Sequence, residues 1–373
     1  MLYLDIPSQQ QIKSLCSIRA DACVSLFVKT TPLSQQIQGS IIELGNLQKQ
    51  ANEQLEATGF DKRRLALIND HLDALKADED FWRLQANSLA ILVTPDKIST
   101  FRLANALENA VYVSDRFHIN PLLRAVTFPH SCFVLALSEN QVRLVEVHAQ
   151  LAPKEVRIPE LPKDAASYAG KSTLNDRSAS GKIQGSEGQN IRLMQFARGV
   201  DNALRPFLSG YDVPLILAAT GRLAGIYPSI NSYSALLEHT IDTSPDRLSE
   251  AELAALAQPL LDASYADQVK QLQALYEDRK NAGRATVDLA AAARAATYGA
   301  IDTLMVDLND TEAGVINESD GVVQFGKEDH ASYYNLVDEI AGRALLSGAR
   351  VVSVRKDDMP HGSSVAAILR YAL

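Results

Sequence analysis

The spacing of apolar positions divides the chain into three blocks. The first runs from residue 1 to 128. Polar, helix-compatible sequence leads into Cys23–Val28, a β-rich apolar run closed by Lys29-Thr-Thr-Pro32. Ile41, Leu44, Leu47, Ala51 and Leu55 then recur at helical spacing. Gly59 interrupts, and Leu65, Ile68, Leu72 and Leu75 resume it. Apolar runs at 88–93 and 110–113 return to strand. The order β-α-α-β-β predicts an α+β domain. The second block, 129–245, opens with apolar strands at 132–137 and 142–147 around a four-residue polar turn. Residues 162–190 lose all periodicity and predict a mobile loop. A helix follows with Leu193, Phe196, Val200, Leu204 and Phe207 along one face, then a buried strand at 213–218 with Thr220-Gly-Arg222 as its exit turn. The third block, 246–373, starts with a linker helix reaching about Asn281, closed by Gly283. Helix 287–298, strand 303–306, acidic loop 307–321, helix 331–347, strand 351–354 and the closing run 366–371 predict an α/β domain.

No apolar run approaches the ~20 residues that span a bilayer, and the start lacks a basic stretch followed by an apolar core. A cytoplasmic protein without membrane contact is the expectation. Cys16, Cys23 and Cys132 lack disulfide-framework or zinc spacing and predict reduced thiols. The seven histidines have no metal-ligand spacing, Thr220–Gly225 matches no phosphate-binding motif, and Asp307–Glu312 has no EF-hand pattern. No cofactor and no metal are expected. The net charge of −9 excludes a whole-surface basic field, so any RNA-binding surface must be local.

Such a surface is visible between residues 163 and 205, where seven basic and four acidic residues leave a local excess of three cations. Lys171, Arg177, Lys182, Arg192, Arg198 and Arg205 surround Gly181, Gly185 and Gly188. Glycine permits close backbone approach, and the cations suit phosphate. Arg198 and Arg205 stand two helical turns apart, opposite the apolar face. Ser114-Asp-Arg-Phe-His118 reads instead as a strand-to-helix junction, with Ser114 or Asp115 capping a helix at Asn120.

In order, these features resemble the archaeo-eukaryotic class 1 peptide chain release factor superfamily, which includes Pelota, and most closely its bacterial relatives. The resemblance rests on Val24–Val28, Asn87–Val93 and Val111–His118 in the first block. In the second it rests on Gly185-Ser-Glu-Gly-Gln189, Phe196-Ala-Arg198 and Leu215–Ala218. In the third it rests on Tyr298–Val306 and Ala366–Tyr371. It implies an RNA-binding α+β first domain, an RNase H-like middle domain whose loop reaches the peptidyl-transferase centre, and a third domain resembling kink-turn-binding ribosomal proteins. In release factors that loop carries Gly-Gly-Gln, and the glutamine helps place water as the ester is hydrolysed. The resemblance assigns that role here to Gly188 and Gln189. Glu187 departs from the motif, adding a β-carbon and a negative charge where RNA would crowd it, which puts peptide release in question. The stretch Gly59–Arg64 lacks the stop-codon-reading pattern.

The expectation is a release-factor-like protein acting on the ribosome or a structured RNA, in ribosome rescue or translation quality control. The alternatives are a ribosome-independent RNA-processing hydrolase and an inert adaptor that binds a protein partner through its third domain.

Overall fold

The computed structural model describes residues 4–5, 7–33, 36–127, 131–148, 151–170, 186–209, 213–307, 309–326 and 333–372. The first block contains α1 (Gln9–Ser17), β1 (Cys23–Lys29), α2 (Ile37–Ala57), α3 (Lys62–Ala77), α4 (Glu79–Arg83), β2 (Ser88–Val93), β3 (Ile98–Leu103), β4 (Ala110–Ser114) and α5 (Asn120–Thr127). The middle block contains β5 (Ser131–Leu137), β6 (Val142–His148), β7 (Lys154–Val156), α6 (Ala165–Tyr168), α7 (Ser186–Leu208), β8 (Leu215–Ala218) and α8 (Gly221–Ile230). There follow α9 (Glu250–Asn281), β9 (Ala285–Thr286), α10 (Leu289–Thr297), β10 (Ile301–Val306), β11 (Ala313–Ile316), β12 (Val323–Phe325), β13 (Tyr334–Asn335), α11 (Leu336–Leu346), β14 (Arg350–Ser353) and β15 (Val365–Leu369). The result is a mixed α+β fold whose described residues form four sheets.

The chain divides into two compact units. One joins Met1–Phe128 to Gln268–Leu373; the other is Pro129–Asp267. In the first unit, the antiparallel sheet β3-β2-β1-β4 is covered on both faces. Side chains alternate across a strand. Val24, Leu26 and Val28 of β1 therefore turn one way, into a core with Leu44, Leu47, Ala51 and Leu55 of α2 and Leu65, Ile68 and Leu72 of α3. Cys23 and Phe27 turn the other way, into a second core with Ala90, Leu92, Phe101 and Leu103. Residues of the third block complete that second core: Ala292, Ala293, Ala295 and Ala296 of α10, Val337, Ile340, Ala341 and Ala344 of α11, and Ile301, Leu304 and Val306 of β10. Strand β10 runs parallel to β14 and antiparallel to β15 in the sheet β14-β10-β15-β9.

The second unit is built on the sheet β7-β6-β5-β8, with β5 antiparallel to β6 and parallel to β8. One face packs on α7 and α8 through Leu193, Phe196, Val200, Leu204, Leu208, Leu223 and Tyr227. The other face meets Leu253, Ala257 and Leu261 of α9.

Several boundaries differ from the sequence reading. The aperiodic stretch 162–190 contains α6 and the first turn of α7, whose polar Ser186, Gln189 and Asn190 hid the helix from a hydrophobic pattern. The acidic loop 307–321 contains β11, which sits between β12 and β13. The helix expected over 331–347 starts at Leu336, where Asn335 accepts a hydrogen bond from the Val337 N–H and supplies the cap. Strand β3 and helix α8 carried no strong pattern and were not anticipated.

Candidate nucleic-acid interface

The apolar face of α7 anchors the helix on its sheet, and this fixes where its polar residues lie. Arg198 is exposed and Arg192 half-buried. Arg205 is engaged: its Nη2 lies 3.0 Å from Asp201 Oδ2, and its Nε donates to Ser232 Oγ at 3.1 Å. Asp201 is buried and accepts in addition from the Ser232 N–H at 2.9 Å. Gly199 gives Tyr168 its place on α7, since a β-carbon there would fall 2.6 Å from the tyrosine ring.

Gly188 is buried in the first turn of α7. Gln189 is half-buried, and its Oε1 accepts a hydrogen bond from Arg222 Nη1 at 3.0 Å. Arg222 is the second residue of α8 and is exposed. Its neighbour Gly221 holds a φ of 63°, a left-handed value that favours glycine at this turn. The Gln189–Arg222 bond brings the starts of α7 and α8 together. A helix start carries partial positive charge, and Arg222 adds a full one. This end of the second unit is therefore suited to an anion. The sequence predicts an exit turn at Thr220-Gly-Arg222; the structure starts α8 there, which places Arg222 in its first turn. Lys171, Arg177 and Lys182 lie outside the described residues.

The carboxylates of this segment have local tasks. Asp164 caps α6; hydrogen bonds from the Ser167 backbone and side chain hold its carboxyl below the usual range. Among the described residues no group of three His, Cys, Asp or Glu side chains is placed to hold a metal ion.

Among the described residues, the first unit holds a dense charge cluster. Glu339 Oε1 lies 2.9 Å from Arg19 Nη2, 2.7 Å from Arg116 Nη1 and 2.7 Å from Arg343 Nε. Arg116 also binds Asp115 through two nitrogens at 2.8 and 2.9 Å and reaches Glu318 at 3.2 Å. Its guanidinium lies 3.9 Å from the centre of the Tyr334 ring. Burial alone would raise the Asp115 carboxyl, but the Arg116 hydrogen bonds and charge outweigh it and hold it below the usual range. Beside this network, Asp338 Oδ2 accepts from the Ile119 N–H at 2.7 Å and lies 3.3 Å from His118 Nδ1. Asp338, rather than Ser114 or Asp115, thus meets the backbone entering α5; Asp115 is held by Arg116 and by the Ser114 hydroxyl. The His118 ring stacks on Tyr112, with centroids 4.0 Å apart and planes 25° apart. Tyr112, Arg116, His118, Tyr334, Asp338 and Glu339 line a cleft of about 600 Å³. The three cysteines are free and buried. Burial pushes each thiol up to about 12, and at Cys16 the Asp338 and Glu339 charges add to the effect.

Residues 129–267 match the family model of bacterial archaeo-eukaryotic release factor family 11, and the matched span is the whole of the second unit. The match makes that unit similar to the bacterial archaeo-eukaryotic release factors and covers no other part of the chain. No curated protein matches the chain. Among solved structures it is similar to Dom34 of S. cerevisiae, a translation termination-like factor involved in RNA quality control pathways and interacting with Hbs1. That likeness has 14% identity over 77% of this chain and 80% of the other, with a TM-score of 0.43. It is also similar to archaeal Pelota in a model of its ribosome-bound form with ABCE1 (14% identity, 77% and 78% coverage, TM-score 0.41). The archaeal translation termination factor aRF1 is 17% identical over 98% of this chain and 99% of that one, with a TM-score of 0.22. Among the described residues no helix is long and apolar enough to cross a membrane.

Proposed function

We propose that this protein is a release-factor-like factor that docks on the ribosome, or on a structured RNA, in rescue or translation quality control. The contact surface is the start of α7 with the segment before it. The observation that carries this reading is the match of the entire second unit to a release-factor family model. The paired helix starts and Arg222, with Arg192 and Arg198 along α7, support it by offering phosphate a local cationic surface on an acidic protein. The order β7-β6-β5-β8, with the last strand parallel to β5, supports an RNase H-like middle domain. Lys171, Arg177 and Lys182, outside the described residues, belong to the same basic stretch of sequence; on this reading the third block resembles kink-turn-binding ribosomal proteins and offers a site for a protein partner.

The activity we assign is docking without peptide release. Glu187 replaces the first glycine of the motif, Gly188 is buried in a helix, and the Gln189 amide is held by Arg222. The test is co-sedimentation with empty, stalled and terminating ribosomes at moderate salt. Binding to stalled ribosomes is expected, and absence from all three pellets would end the proposal. Peptidyl-tRNA hydrolysis on the same ribosomes should stay at background for wild type and Gln189→Ala alike. Release that depends on Gln189 would reverse the assignment of docking alone.

A further inference from the structure

The cleft in the first unit has a chemistry the release-factor reading does not use. Its volume of about 600 Å³ lies in the range of small-molecule sites. One wall is aromatic: Tyr112, 40% exposed, stacks on His118, and Tyr333 and Tyr334 also line the space. Stacked rings of this kind favour a planar guest. Its lining includes three carboxylates, Glu312, Asp338 and Glu339. Asp338 is 5% exposed, and its Oδ1 has no hydrogen-bond partner among the described residues, a state that buried polar atoms rarely keep. Its Oδ2 is already engaged by the Ile119 N–H, so the carboxylate is fixed in orientation. Glu312 adds an exposed carboxylate to the lining. The cations of the cleft, Arg19 and Arg116, already face Glu339, Asp115 and Glu318. A phosphate entering here would meet neutralised arginines and Glu312. A ring carrying N–H donors would satisfy the acceptors.

We propose that this cleft, formed by the first and third blocks, binds a planar nitrogen heterocycle with N–H donors, of the aminopurine class, as free base or nucleoside rather than nucleotide. The ring lies against the Tyr112–His118 stack, and an amino or ring N–H group is donated to Asp338 Oδ1. Oδ1 is shielded from solvent without the ligand, so on this proposal the side chains over it give way to the donor while the Ile119 N–H keeps Oδ2 in place.

The test is calorimetric titration of the full chain with adenosine, guanosine, GMP and caffeine, a purine of similar size with no N–H donor. At least one nucleoside should bind, and both GMP and caffeine should bind it tenfold or more weakly. Tyr112→Ala, at a partly exposed position, should weaken nucleoside binding at least tenfold while leaving the melting temperature nearly unchanged. Asp338→Asn keeps an oxygen for the Ile119 N–H but puts an amide donor at the other position, and should also cost tenfold. No nucleoside binding at millimolar concentration would overturn the proposal. So would caffeine or GMP binding as tightly as the nucleosides, or unchanged affinity in a folded Tyr112→Ala protein.

Discussion

The arginines around Glu339 and those along α7 differ in what they can still do. Arg116 and Arg343 expose only 9% of their side chains and share a carboxylate that exposes 6%. Their charge is used inside the fold, joining Arg19 and Asp115 of the first block to Glu318 and Glu339 of the third. Arg205 exposes 60% of its side chain over one buried aspartate, and Arg198 is exposed outright. A buried ion network costs desolvation and makes removal of one member severe, whereas an exposed cation adds little to stability and remains available to a polyanion.

Four substitutions test that contrast, in descending order of effect. Glu339→Ala leaves three guanidiniums around a vacated centre and should cost about 3–5 kcal/mol, read from the urea midpoint. A loss below about 1 kcal/mol would show that the network is no more than a surface cluster. Arg205→Ala should cost about 1 kcal/mol or less, because the Ser232 N–H and hydroxyl still satisfy Asp201. Asp115 sharpens the comparison through pH. Its carboxyl is depressed in the folded state, so its contribution is complete above the unfolded value of about 3.9 and is lost as pH falls through the lower folded value. Urea midpoints of wild type should therefore drop below about pH 4 more steeply than those of Asp115→Asn; equal slopes would remove Asp115 from the acid response. Arg198→Ala should change stability by no more than about 0.5 kcal/mol. It should nevertheless lower the slope of log affinity for ribosomes against log salt by about 1. An unchanged slope would mean that this face of α7 does not meet phosphate.

Helical faces and central strands were legible in the sequence because burial stamps them with a period. The apolar positions foreseen on α7 lie on its buried face, although Leu208 rather than Phe207 closes the row. Strand β1 was visible as an apolar run, but a run says only that both faces are covered, not by what. Its second cover comes from α10, α11 and β10, far along the chain. Strand β3 was missed because Arg102 interrupts its apolar pattern; that side chain is nevertheless buried, lying 4.1 Å from the centre of the Phe81 ring and donating to the Phe81 carbonyl at 3.3 Å. At the candidate interface, the basic residues were legible but their states were not. The Asp201–Arg205 spacing is readable in sequence, whereas the Ser232 bonds and the Gln189–Arg222 meeting depend on tertiary placement. The His118–Asp338 pair spans two blocks and leaves no local trace.

The double duty of β1 and β2 limits how this protein can be dissected. A fragment stopping before Gln268 would keep Val24, Leu26 and Val28 covered but remove the α10, α11 and β10 side chains from the core of Phe27, Leu92, Phe101 and Leu103, exposing apolar surface that first-block residues such as Ile12, Leu15, Leu122 and Leu123 only border. A contiguous greasy patch of that kind invites self-association. Separating the second unit, Pro129–Asp267, from the rest is the division that respects the cores. Cutting at the ends of the sequence blocks is the one that would yield precipitate.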